Sequence, residues 1–354
     1  MKQELEHQLF GITLNQPQYE AVTHTTGSML VIAGAGSGKT RVITARIAYL
    51  MEHANVFGPA IIALTFTNKA AREMKERLHS YLGNKHRMPY VGTFHSYALY
   101  LLRSNPSLLP FENFSIFDGD DQIALVKKIL KHHNLEKQLN ASNVLYQISH
   151  IKNSLDVERA LLGTNQMIGE IFHAYEKEKS LAQSLDFDDL LLIVHHILST
   201  NSVFRSIFQS RVRHILIDEY QDTNVVQHQL LRLMSLGSDN ALAIDSLCAV
   251  GEDDQSVYSW RGANVANMLT FKDDFAPVKK VSIEQNYRSV APILDAANEV
   301  IAHNTIRNPK SLWSTRQATN RILTMSCRSE HQEADMVATF YKSLPREKQS
   351  SVAI

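Results

Sequence analysis

Ala33-Gly34-Ala35-Gly36-Ser37-Gly38-Lys39-Thr40 is the stretch that decides the fold. An apolar run at 29–32 precedes it and predicts a buried strand. After it, Ile43, Ile47, Leu50 and Met51 recur at helical spacing. Strand, glycine-rich turn and helix together are the setting a phosphate-binding loop requires. Gly34, Gly36 and Gly38 let the backbone turn its N–H groups inward, toward an anion at the helix N-terminus. In that arrangement Lys39 reaches the terminal phosphates of a nucleotide and the Thr40 hydroxyl holds Mg²⁺. The strict pattern begins with Gly, and here that position is Ala33. A flexible glycine turn that binds nothing is the plainer reading, and both flanks and the Lys-Thr pair argue against it.

At 354 residues the chain is long enough for about two domains. Its 44% hydrophobic and 20% charged residues are those of an ordinary soluble globular protein. Lys+Arg and Asp+Glu number 36 each, so no bulk positive field draws it to nucleic acid, and any DNA contact must come from local patches. Cys248 and Cys327 show no CxxC spacing, which argues against a disulfide framework or a structural zinc site and fits a cytoplasmic setting. Residues 1–10 lack the apolar core of a signal peptide, and no apolar run nears the ~18 residues needed to span a bilayer. No membrane partner is expected.

Working outward from the glycine turn, Asn15 is a plausible helix N-cap and Pro17 suits a first turn. The Gln18 amide offers the donor and acceptor that match adenine N6 and N7, although such a stretch is more often a capped surface helix. A second strand at 60–66 ends in Thr65-Phe66-Thr67-Asn68-Lys69. Thr65 and Asn68 could hold phosphates and Phe66 could stack on a base, with a solvated loop and a core phenylalanine as the alternative. Residues 69–87 make a locally basic surface. In Val91-Gly92-Thr93-Phe94-His95-Ser96, His95 could serve as a core residue, a phosphate donor or a relay.

From 118 to 185 the chain turns helical, with stripes such as Ile123, Val126, Ile129 and Leu130, and reads as an insertion. Asp186-Phe187-Asp188-Asp189 opens another helix, where capping is the first expectation and metal binding a distant second. The sheet returns at His214-Ile215-Leu216-Ile217-Asp218-Glu219. Asp218 suits Mg²⁺, partly through water, and Glu219 suits orienting and deprotonating an attacking water. Farther on, Gln255 sits where it could sense a γ-phosphate. Tyr258, Trp260 and Arg261 combine flat faces with a cation, the equipment for holding single-stranded bases. Arg288, in Glu284-Gln285-Asn286-Tyr287-Arg288-Ser289, could act as an arginine finger or sit in a surface salt bridge. Residues 321–327 read as a strand, and Val337, Phe340, Tyr341 and Leu344 as a helix stripe.

In this order the segments resemble the UvrD/Rep/PcrA-like superfamily 1A DNA helicases, from about Leu14 to the last residue. The family itself carries Ala-Gly-Ala-Gly-Ser-Gly-Lys-Thr, so Ala33 fits. The resemblance implies that Gln18 reads adenine and that Gly34, Ala35, Gly36, Ser37, Gly38, Lys39, Thr40 and Arg41 bind ATP. It implies that Tyr287 stacks on adenine while Arg288 meets the γ-phosphate. Thr65, Phe66, Asn68, Thr93, His95, Tyr258, Trp260 and Arg261 match its DNA-contacting motifs. It also implies an ATP- and Mg²⁺-dependent motor that moves 3′ to 5′ on single-stranded DNA and opens duplex at junctions, with repair or replication proteins as partners.

The implied architecture is α/β: a RecA-like P-loop NTPase domain with a parallel sheet, interrupted by a helical insertion, plus the start of a second RecA-like domain. The expected division is 1–115 with 186–279, then 116–185 inserted, then 280–354. Three departures from the family pattern stand out. Family members are longer and their later motifs have no counterpart before Ile354, so a C-terminally truncated, incomplete motor is expected. Glu252 stands where Asp is usual, and residues 238–247 lengthen a connection enough to predict a displaced strand before Gly251. A non-catalytic ATP- and DNA-binding fragment and the motor portion of a helicase–nuclease subunit remain the alternatives.

Overall fold

The computed structural model describes residues 6–109, 111, 113–257, 262–318 and 322–352. A hairpin of β1 (His7–Leu9) and β2 (Ile12–Leu14) leads into α1 (Gln16–Thr23). Asn15 caps α1: its side chain accepts from the Gln18 N–H, and the Gln18 side chain accepts from the Asn15 N–H. Strands and helices then alternate as β3 (Gly27–Ala33), α2 (Lys39–Glu52), β4 (Ile61–Thr65), α3 (Asn68–Leu82), β5 (Tyr90–Thr93) and α4 (Phe94–Ser104).

The excursion that follows comprises β6 (Ser115–Ile116), α5 (Gly119–His132), α6 (Ala141–Lys152), α7 (Val157–Leu162), α8 (Gln166–Leu181) and β7 (Ser184–Leu185). Its two short strands pair in parallel and close its base. Val126, Ile129, Val144, Ile148, Ile171 and Tyr175 give it a hydrophobic core of its own, as the helical stripes predict.

The chain returns through α9 (Phe187–Thr200), α10 (Ser202–Arg211), β8 (His214–Ile217), α11 (Val225–Ser235), β9 (Ser246–Gly251), α12 (Ala266–Asp274) and β10 (Val278–Ile283). Then come α13 (Ala291–Ile301), α14 (Glu330–Ser343) and α15 (Arg346–Gln349). The main sheet has the order β10-β3-β9-β8-β4-β5 and is parallel throughout. A parallel sheet is covered on both faces, which is why β3, β8 and β9 are continuous apolar runs. Helices α1, α2 and α3 pack on one face, and α4, α9 and α11 on the other. Among the described residues, no single helix is long and apolar enough to cross a membrane.

Two expectations need correction. The strand before Gly251 is not displaced: β9 lies between β3 and β8, and the extra residues are absorbed by a turn in which the Gly237 N–H donates to the Ala241 carbonyl. Residues 322–327 form no strand, because no neighbouring strand offers them a ladder. The α14 stripe forms as a helix, yet none of it is buried, and Leu344 lies just past its end. Strand β10 joins the main sheet beside β3, so residues 279 and 280, where a domain boundary is expected, lie within one strand.

Candidate functional site

The glycine turn links β3 to α2 at the carboxyl edge of the sheet. Gly36 (φ +66°) and Gly38 (φ +92°) are left-handed, a conformation costly for any residue with a Cβ. Gly38 is the N-cap of α2, so Lys39 and Thr40 open the helix with their N–H groups in its unpaired first turn. Lys39 is buried, and its ammonium lies 3.1 Å from Glu219 Oε2 and 3.1 Å from Gln255 Oε1. The Thr40 hydroxyl donates to Asp218 Oδ2 at 3.4 Å. Three segments far apart in sequence therefore meet at one lysine, because β3, β8 and β9 are adjacent strands ending at the same edge.

Burial and the neighbouring Glu219 push the Asp218 carboxyl up to about 7, with Lys39 opposing. Asp222 is raised to about 6, chiefly by burial. These shifts describe acids crowded together and lacking enough cation. Glu219 itself holds a left-handed backbone (φ 51°, ψ 47°), a strain of the kind concentrated at functional sites. A divalent cation between Thr40 and Asp218 fits this donor set: hard oxygens, one of them on a carboxylate whose charge is undercompensated.

Around the turn the other expected nucleotide residues gather. The Gln18 Nε2 donates to the Ser37 carbonyl at 2.8 Å, while its Oε1 serves the α1 cap. Asn15 Nδ2 donates to Gln285 Oε1 (3.0 Å) and to the Tyr287 hydroxyl (3.1 Å), so Gln18 and Tyr287 stand on one side of the loop. The Tyr287 N–H donates to the Gly36 carbonyl at 3.0 Å. Arg288 is exposed beside Gly36: a Cβ added there would lie 2.7 Å from the Arg288 Cβ. Gly34 is closely covered by Leu312, Ala35 accepts from the Asn286 amide, the Ser37 hydroxyl donates to the Gly34 carbonyl at 2.7 Å, and Arg41 lies in the first turn of α2.

A cavity of about 340 Å³ adjoins the acidic pair, with Thr65, Phe66, Thr93, His95, Asp218 and Glu219 among its lining. Thr65 ends β4, and Thr93 caps α4 by accepting from the Ser96 N–H at 3.1 Å. The His95 ring meets Phe187 edge-on at 6.2 Å, and burial lowers its pKa, so it sits there neutral. Asn68 is exposed at the start of α3 and is not among the residues lining the cavity. Tyr258, Trp260 and Arg261 lie outside the described residues.

Gln221 and Lys310 carry roles that sequence reading missed. Gln221 donates to Glu219 Oε2 at 2.9 Å and accepts from the Glu252 N–H at 3.0 Å, joining the acidic turn to the segment that carries Gln255. Lys310 is paired with Glu252, Asp253 (3.2 Å) and Asp254 (2.8 Å), clamping that segment from behind. Only the position of Gln221 between two acids hinted at its part. Lys310 had no local signal.

Residues 14–276 match the family model described as the UvrD/REP helicase N-terminal domain, and residues 281–354 match the UvrD-like helicase C-terminal domain. The ATP-dependent DNA helicase PcrA of Staphylococcus epidermidis (strain RP62A) is 40% identical over 331 residues, 92% of this chain and 45% of that protein. The protein of the same name from Staphylococcus aureus (strain Mu50) is 39% identical over 331 residues, 92% of this chain and 44% of the relative. The chain thus spans a little under half the length of these curated relatives.

Proposed function

The chain belongs to the UvrD/REP helicase family, and from that premise we propose that it is the ATP-hydrolysing part of a DNA motor that moves 3′ to 5′ on single-stranded DNA. The observation that carries this reading is the meeting of Lys39 with Glu219 and Gln255, each at 3.1 Å. Lys39 is placed to exchange its Glu219 partner for a terminal phosphate oxygen of ATP. That exchange frees Glu219 to orient a water and take its proton. Thr40 and Asp218 would hold Mg²⁺, whose part is to offset phosphate charge. Gln255, sharing the lysine, senses whether phosphate is present, and Gln221 passes the change in Glu219 to Glu252. Arg288, beside Gly36, supplies a second cation at the phosphate end. Gln18 and Tyr287 flank the base.

Single-stranded DNA is assigned to the cavity lined by Thr65, Phe66, Thr93 and His95, which shares Asp218 and Glu219 with the nucleotide site. We assign residues 1–115 with 186–279 to the ATP-binding unit, 116–185 to its helical insertion and 280–354 to the unit that closes over ATP. ATP turnover by the purified chain, with and without oligodeoxythymidylate, tests the reading. Stimulated turnover that is lost in Lys39→Ala is expected. Turnover absent from both proteins would overturn it and leave a non-catalytic binding module, and turnover unchanged by Lys39→Ala would overturn the assignment of the reaction to this site.

A further inference from the structure

Asn153 is the last-turn neighbour of Lys152 on the helical insertion, and it faces two other elements at once. Its Nδ2 donates to Asp188 Oδ1 at 2.8 Å, and its Oδ1 accepts from Asn224 Nδ2 at 3.2 Å. The polarity is fixed by chemistry: an ionised Asp188 can only accept, so the Asn153 amide must turn its NH₂ there and leave its oxygen for Asn224. Asn224 in turn caps α11, accepting from the Gln227 N–H at 2.8 Å, and is separated only by Thr223 from the acidic turn that carries Glu219 and Asp222. That turn is tightly held. The Asp222 N–H donates to the Glu219 carbonyl at 2.9 Å, and Asn267 Nδ2 donates to the Thr223 carbonyl at 3.0 Å.

The other end is equally fixed. Lys152 pairs with Asp186 at 2.7 Å and Asp189 at 2.5 Å, so the residues on either side of the Asn153–Asp188 contact are bolted in a buried ion cluster. Asn153 and Asp188 also stand on the wall of the 340 Å³ cavity that has Asp218 and Glu219 in its lining. Anything that enters the cavity and shifts the insertion wall must pull on this hydrogen bond.

We infer that Asn153 is a positioning residue: through Asn224 it ties the helical insertion to the acidic turn, so that single-stranded DNA in the cavity and nucleotide at Lys39 are energetically coupled. The inference rests on the ATP-driven motor reading above.

The geometry permits a swap. Asn153→Asp sets two carboxylates against each other and breaks the link at its Asp188 end, pushing residue 153 from its seat although the Asn224 amide keeps an acceptor there. Asp188→Asn alone keeps it, since the new amide can still accept through its oxygen. Asn153→Asp with Asp188→Asn restores both bonds: the amide now at position 188 donates, and the carboxylate now at position 153 accepts from it and from Asn224. Asn224→Asp retains the α11 cap but cannot donate to Asn153, and so breaks the link from the far end without changing the insertion.

The full chain and these variants are titrated with a fluorescent ATP analogue and Mg²⁺, with and without oligodeoxythymidylate, and DNA-stimulated turnover is read in parallel. In Asn153→Asp and Asn224→Asp, the DNA effect on nucleotide affinity and turnover should shrink about five-fold or more, within the range usual for coupled sites. Nucleotide affinity without DNA should stay within about two-fold. The double swap should recover the wild-type DNA effect. Wild-type coupling in both breaking variants, or a double swap no better than Asn153→Asp, overturns the inference while leaving the motor reading standing. If the wild-type chain shows no nucleotide or DNA binding, the motor reading fails first and the inference with it.

Discussion

Lys152→Met removes one of two ammonium groups from the junction between the helical insertion and α9. Lys152 Nζ lies 2.9 and 2.7 Å from the two oxygens of Asp186, 2.5 Å from Asp189 Oδ1 and 3.1 Å from Glu176 Oε1. Lys179 reaches Glu176, Asp186 and Asp189 at 2.8, 3.1 and 2.5 Å. Both lysines, Asp186 and Asp189 are buried, so water screens little of this. Methionine nearly matches the lysine stem in shape, so lost packing is small and the penalty is electrostatic. One cation would then face three carboxylates, and breaking a buried pair this way costs about 3–5 kcal/mol. With a urea m-value of roughly 3 kcal/mol/M, the denaturation midpoint should fall by about 1–2 M at pH 7.

The pH dependence supplies a second check. The two lysines hold the Asp186 carboxyl well below the usual carboxylate range against the cost of burial. In the wild type that contribution is therefore present above pH ~4 and lost only on strong acidification. Stripped of Lys152, the buried acids take up protons more readily, so the penalty should shrink between pH 7 and pH 5. Urea titrations followed by far-UV circular dichroism would read both effects. A loss under about 1 kcal/mol at pH 7, or a penalty that grows on acidification, would refute the account of the cluster as an ion-paired bolt.

The cluster also marks where sequence reading stopped. The phosphate loop was legible because strand, glycines, Lys39 and Thr40 are contiguous, and the caps at Asn15 and Asp186 were legible for the same reason. Helix stripes such as Val126, Ile129 and Leu130 declared the core of the insertion through their period alone. The convergence of Lys39 with Glu219 and Gln255 needed one further premise, that their strands end side by side, which a parallel α/β sheet supplies. Lys152, Lys179 and Lys310 carried no such signal. Lys152 and Lys310 find their acids through tertiary packing, Lys310 at 56 or 57 residues from two of them, while Lys179 adds the buried Asp186 and Asp189 to its i,i+3 neighbour Glu176, and a lysine on a helix or loop reads by default as solvated. The strand expected at 321–327 is absent over its described residues, 322–327, for the complementary reason: local propensity cannot report whether a neighbour exists to pair with.

Gly36→Ala tests the loop directly. The added Cβ would lie 2.7 Å from the Arg288 Cβ and 2.8 Å from Asn286 Nδ2, at a φ of +66° that itself costs alanine about 1–2 kcal/mol. Nucleotide affinity, read by fluorescence titration, should fall by about ten-fold or more, and an unchanged affinity would show that the loop relaxes freely. His214 gives the pH prediction for the sheet. It is buried on β8 with Nδ1 2.8 Å from the Ser246 hydroxyl. Burial lowers its pKa from 6.5 to about 4, with Arg46 and Arg213 acting the same way and Asp245 opposing. The unfolded chain therefore binds a proton below pH 6.5 that the folded chain refuses until about pH 4. Stability from this group is complete above pH 6.5 and declines as pH falls through that window, by on the order of 1–2 kcal/mol at pH 5. Burial lowers His95 and His228 as well, so the whole chain should lose stability over the same range. His214→Gln keeps a partner for Ser246 but removes the titration, so its urea midpoint should fall less steeply between pH 7.5 and 5. Parallel slopes for the two proteins would mean that His214 takes up its proton in the folded state, and that the β8–β9 core admits a charge its burial should forbid.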